Sequence, residues 1–143
     1  MVDIENCVGG AVLTSSAACW AREVVVRELG GASDQMVVGV SHVGLLATAD
    51  AWPGARLLVK SGPDGADLAL LEVLQGEQIA ARFDEVVLFS GDGIFTDAVD
   101  ALGADGVRVT VVGHRGRVAA RLCMAAAETR YIGMGQTRMG DAA

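Results

Sequence analysis

A chain of 143 residues is long enough for one ordinary domain with a real core and too short for two. With 52% hydrophobic and 20% charged residues it does not have the composition of a disordered chain. Eleven basic against eighteen acidic residues give a net charge of −7, which excludes a generally basic nucleic-acid coat but leaves room for a local basic patch.

Other classes fall away on similar grounds. Aromatic residues are 4% of the chain, too few for an extended base-stacking platform. Cys7, Cys19 and Cys123 are too few and too scattered for a disulfide framework or a zinc knuckle, so a reducing cytoplasm is the expected compartment. No run approaches 18 uninterrupted apolar residues, so a membrane span is not expected. The first residues carry Asp3 and Glu5 without a basic leader and do not read as a signal peptide. Charge is unevenly spread. Residues 1–105 carry a balance of −11, while residues 106–143 carry +4.

In chain order, residues 1–5 can form only a short first strand, and 6–14 read as a loop. Ser15 or Ser16 can cap a helix to about Leu29, stopped by Gly30 and Gly31. A second strand is centred on 36–40, with Ser41 and His42 at its end. A short helix over 43–51 ends near Trp52-Pro53-Gly54, and Leu57–Lys60 is a third strand. Asp64 and Asp67 precede an apolar run, a capping-box-like start for a helix to about Gln75. Val86-Val87-Leu88-Phe89 is the clearest buried strand, followed at once by Ser90-Gly91-Asp92-Gly93. Thr96 can cap a helix to Leu102. Residues 107–112 form a fifth strand, 113–116 a loop and 118–128 a helix, and Tyr131-Ile132 can add a short last strand. Residues 1–133 thus read as one domain and 134–143 as a tail.

Strands that alternate with helices and read as continuous apolar runs specify an α/β fold, a mostly parallel sheet covered on both faces. Such sheets bind ligands beyond the carboxyl ends of their strands, where the strand order reverses. Asp3 and Asp92 fall at strand ends, and Asp67 falls in the first turn of a helix. Clustered carboxylates repel one another, and a hard divalent cation offsets that cost. Mg²⁺ or Mn²⁺ held there could activate water against a phosphate. Each acid also has a plainer reading, as a cap or a solvated turn residue.

At these residues the chain resembles a known family. Ser90-Gly91-Asp92-Gly93-Ile94-Phe95 resembles the Ser-Gly-Asp-x-Asp-Phe signature of NYN domains, PIN-like metal-dependent ribonucleases. Asp3-Ile4-Glu5-Asn6 resembles the family's opening Asp-x-x-Asn. Gly65-Ala66-Asp67-Leu68-Ala69-Leu70 is similar to its Gly-x-Asp-x-x-Leu. Arg108–Gly113 and Leu122 resemble its later strand and helix. The resemblance implies a three-layer, Rossmann-like PIN domain with central strand order 3-2-1-4-5. It also implies a ribonuclease whose Asp3, Asp67 and Asp92 hold Mg²⁺ or Mn²⁺. The chain departs from the pattern at Ile94, where many members carry a fourth acid. It departs again at Ala126-Ala127, where an Ala-Asp pair is common.

Around the acids, Asn6 and Ser90 are candidates to orient an acid or touch substrate, and Thr96 is a cap or a phosphate contact. Arg115 and Arg117 suit an RNA backbone, with Arg117 and Arg121 sharing a helix face if the helix includes both. His42, Lys60 and His114 face the same end of the sheet, with solvation as the plainer account. Three functions compete: a metal-dependent ribonuclease, a catalytically inactive RNA-binding or protein-interaction module on the same scaffold, and an enzyme acting on small nucleotides. Apolar residues on several faces of the helices over 17–29 and 118–128 suggest self-association as a dimer.

Overall fold

The computed structural model describes residues 1–31 and 35–133; the tail expected at 134–143 lies outside them. The apolar runs form six strands: β1 (Val2–Asp3), β2 (Val37–Val40), β3 (Arg56–Val59), β4 (Glu85–Phe89), β5 (Arg108–Gly113) and β6 (Glu128–Tyr131). They lie in one sheet of order β3-β2-β1-β4-β5-β6, and every neighbouring pair is parallel. The expected order 3-2-1-4-5 is therefore found, with one more strand at the edge. β1 is as short as its sequence suggested. It pairs with β2 through Val2 and Asp3 and with β4 through Val2 opposite Phe89.

Helices cover both faces. One face packs α1 (Ile4–Val8), α2 (Ser15–Leu29) and α3 (Leu45–Ala51) on a core that includes Ile4, Val25, Val38, Val40, Trp52 and Phe89. Trp52 satisfies its buried indole by donating Nε1–H to the Ala18 carbonyl at 2.9 Å. The other face packs α4 (Gly65–Gly76), α5 (Ile79–Arg82), α6 (Thr96–Ala104) and α7 (Ala120–Ala125) on Leu70, Leu88, Phe95, Val109, Val111 and Leu122. Among the described residues no helix is long and apolar enough to cross a membrane.

Three local expectations are corrected. Residues 4–8 are helical, where 4–5 were expected as strand and 6–8 as loop, because Asp3 caps α1 by accepting the Asn6 N–H and Gly9 closes it in the left-handed region at φ 90°. The helix expected over 118–128 stops at Ala125. Ala126 turns extended, the Ala127 N–H bonds to the Val109 carbonyl, and the chain enters β6. Its entry is held by Glu128, which takes ion pairs from Arg108 and Arg130. Thr96 is not a helix cap. Its hydroxyl donates to the Gly93 carbonyl at 2.7 Å and fixes the 3₁₀ turn Gly93–Phe95 that leads into α6.

Candidate active site

The strand order reverses between β1 and β4, and the two acid-bearing strand ends meet there. Asp3 ends β1 and is 5% exposed. Its Oδ1 accepts the Asn6 N–H at 3.2 Å, and its Oδ2 accepts the Ser90 hydroxyl at 3.3 Å. Ser90, wholly buried, also accepts the Asp92 N–H at 3.2 Å through its Oγ. Asn6 Oδ1 accepts the Gly91 N–H at 3.1 Å. Asn6 and Ser90 therefore tie β1 to the segment after β4, one from each side. Asp92 is exposed, and its Oδ1 accepts the Ile94 N–H at 3.0 Å.

Asp67 reaches this crevice from the first turn of α4, which packs over β1, β2 and β3. The approach depends on Gly39, which sits beside Asp3 in the β1–β2 register. A Cβ on residue 39 would lie 2.8 Å from the Ala66 carbonyl oxygen and 2.8 Å from Leu70 Cγ. Only a bare backbone lets the start of α4 come this close. Asp64 stands at the N-cap of α4 without a side-chain capping bond, so the acids read as a capping box do not form one.

The electrostatics of the pair are unfavourable without a cation. Asp67 Oδ1 is buried and receives no hydrogen bond. Its carboxyl is pushed up to about 8, first by burial, then by a shared proton with Asp3 and the charges of Asp3, Asp92 and Asp64. Burial also raises Asp3, against the stabilising bonds from Asp67, Asn6 and Ser90. Asp67 is thus the protonated member and Asp3 the acceptor. The nearby Cys7 thiol is pushed up to about 12 by burial and then by the Asp3 charge, so it is no nucleophile at neutral pH.

The donor set fits a hard cation. It offers carboxylate oxygens, one of them buried and without a partner, and Mg²⁺ typically takes one or two carboxylates and keeps several waters. Among the described residues no group of three His, Cys, Asp or Glu side chains is gathered tightly enough to hold a metal by itself. Asp3 and Asp67 form the close pair, and the charge of Asp92 acts on Asp67 through space.

The remaining expected residues divide. Arg115 stacks on the Tyr131 ring, 4.7 Å from guanidinium carbon to centroid. The loop carrying Arg117 is anchored beside the crevice: the Ala119 N–H donates to the Gly91 carbonyl at 2.9 Å, and His114 Nε2–H donates to the Cys7 carbonyl at 2.7 Å. Lys60 lies away from the acids, paired with Glu72 on an exposed edge. His42 is exposed and Trp20 partly so. Sequence reasoning missed the part played by Gly39. A glycine inside an apolar strand was the one available signal.

The parallel sheet with acids where its strand order reverses is the α/β architecture that the resemblance implied. Residues 70–133 match the model of the NYN domain family, which bears out the resemblance read from the motifs. The matched segment includes Ser90–Asp92 and begins just after Asp67. Over 73 residues the chain is 37% identical to the Low amplitude and bright protein LabA of Synechococcus elongatus. That alignment covers 51% of this chain and 38% of the relative's length. A crystal structure of a protein of unknown function from Vibrio parahaemolyticus is similar at a TM-score of 0.62 and 20% identity. It covers 93% of this chain and 90% of that one, and supports the fold alone.

Proposed function

We propose that the protein is a metal-dependent ribonuclease. The observation that carries this reading is the Asp3–Asp67 pair at the strand-order reversal, with one carboxylate oxygen buried and unpartnered and the Asp92 charge acting on Asp67 from just beyond β4. The NYN match supports an RNA-related function. Asp3, Asp67 and Asp92 would hold Mg²⁺ or Mn²⁺, which when bound supplies Lewis acidity toward a phosphate oxygen and lowers the pKa of water. Asn6 and Ser90 hold the Asp3 carboxylate in one orientation and keep the β1 and β4 ends in register, a preorganised arrangement on rigid strand ends. Asp67 would serve as a ligand in its deprotonated form, so its raised carboxyl makes binding pH-dependent. Arg117 lies on the rim where a flanking RNA phosphate would pass, with Arg115 further out on Tyr131. A cytoplasmic setting suits the three free cysteines.

The test is cleavage of a labelled single-stranded RNA with Mn²⁺ or Mg²⁺, against the same reaction in EDTA. The parent should cleave only with metal, and Asp92→Asn should lose at least tenfold in rate while keeping its fold. Cleavage that persists in EDTA, or is untouched by D92N, would contradict the proposal. A second reading, an inactive RNA-binding or interaction module, is favoured by one observation. Asp3, Asp67 and Asp92 do not close into a complete ligand set, and Ile94 adds no carboxylate. No cleavage with intact RNA binding would select it.

A further inference from the structure

The arginines divide by position in a way that the acidic site does not explain. Arg56 and Arg82 pair with Glu77, and Arg108 and Arg130 pair with Glu128. Like those of Arg22 and Arg27 on α2, the side chains of Arg117 and Arg121, at the connection from β5 into α7, make no ion pair or hydrogen bond among the described residues. Both are nevertheless placed. An ideal Cβ on Gly93 would lie 2.8 Å from Arg121 Nε and 2.9 Å from its Nη2, so the guanidinium lies against the bare backbone directly after Asp92. The Arg117 guanidinium reaches the opposite side, with Nη1 3.7 Å from where a Cβ on Gly9 would stand, at the end of α1. The backbone between them is fixed: a Cβ on Gly91 would lie 2.2 Å from the Arg117 carbonyl oxygen. The Arg121 guanidinium thus stands beside the Gly91–Gly93 turn, one strand across from the Asp3–Asp67 pair, while Arg117 lays its backbone against Gly91 and its guanidinium near Gly9.

We infer that Arg121, seated on Gly93 and acting with Arg117, is a phosphate-positioning residue that takes a backbone phosphodiester of single-stranded RNA next to the one at the acidic site. This rests on the RNA reading above. A guanidinium offers a planar fork of donors that matches two phosphate oxygens, which an ammonium does not. An unpaired arginine also has no internal partner to give up on binding. Gly93 is the specificity-determining position: its backbone lies outside the left-handed region, so alanine is conformationally acceptable there, yet its methyl would push the guanidinium aside.

The experiment is fluorescence anisotropy of a labelled oligouridylate 12-mer binding the full chain in EDTA, where no cleavage occurs, across a salt series. Arg121→Ala should weaken binding about five- to tenfold, as expected for one charge-assisted contact. It should also lower the slope of log affinity against log salt by about 0.7, one phosphate contact on a single strand. Arg121→Lys, which keeps charge but not the fork, should recover part of the affinity. Gly93→Ala, which keeps both arginines, should weaken binding at least threefold, and Arg27→Ala, on an exposed face of α2, should not. Binding by R121A and G93A within twofold of the parent, with an unchanged salt slope, would overturn the inference. So would displacement of the oligonucleotide by equimolar uridine monophosphate. Because no metal or cleavage enters the readout, loss of nuclease activity with arginine-dependent binding would sink the nuclease reading and leave this inference standing. Cleavage with arginine-independent binding would do the reverse.

Discussion

The carboxyl of Asp67 carries the strongest physical tension in the site. A buried carboxyl raised to about 8 in the folded protein, against about 4 in an unfolded chain, binds a proton more tightly when folded. Its contribution to stability is therefore fully present below about pH 4 and is lost as pH rises through 8. Asp67→Asn removes that loss. Thermal denaturation of the metal-free protein at pH 8.5 should show D67N more stable by roughly 1–2 kcal/mol, or about 3–8 °C, with the gap closing toward pH 4. The same proton gives a second expectation. Mn²⁺ binding at pH 7 should release close to one proton from the pair, and much less at pH 9.5, measurable by calorimetry in buffers of different ionisation enthalpy. The strand-end places of Asp3 and Asp92 and the helix-start place of Asp67 were legible from the sequence. That Asp3 and Asp67 share a proton was not, because it depends on the packing of α4 against β1.

Elements bring those residues together, and here the close approach of α4 to β2 decides the geometry. Gly39→Ala places a methyl 2.8 Å from the Ala66 carbonyl oxygen, so the helix start must shift. Overpacking of this kind costs about 1–3 kcal/mol. Urea denaturation should show that loss, and Mn²⁺ affinity should fall as Asp67 moves away from Asp3. A variant with unchanged stability and unchanged metal affinity would mean that the helix start can yield freely. The strands were readable because each is a short apolar run followed by a turn signal. The region after β5 was misread as one helix over 118–128, because its small and apolar residues run on without a stop signal. The pairing of Ala127 with Val109 and the Glu128 ion pairs, both tertiary, convert its last part into β6. The helix α1 was missed because five residues are too few for periodicity, although Asp3 and Gly9 are an ordinary cap and stop.

Across the whole molecule, charge is sorted along the sheet. Acids gather at the ends of β1 and β4 and the start of α4, and Arg121 stands against Gly93 in the turn after β4. Under the proposed function, affinity for RNA should fall steeply with salt. Of the two segments from which self-association was expected, 17–29 exposes Trp20 and 118–128 exposes Met124. Light scattering over a wide concentration range should give a mass near twice the 14.7 kDa of one chain, and a constant monomer mass would count against it.

The central claim is that Asp3, Asp67 and Asp92 form a site for a hard divalent cation. Calorimetric titration of Mn²⁺ into the parent, D92N and Ile94→Asp proteins tests it most directly. The account predicts measurable binding by the parent, at least tenfold weaker binding by D92N, and tighter binding by I94D, which adds a carboxylate beside Asp92. Identical titrations for all three proteins, or no binding by any of them, would contradict the metal site and leave the interaction module as the better account.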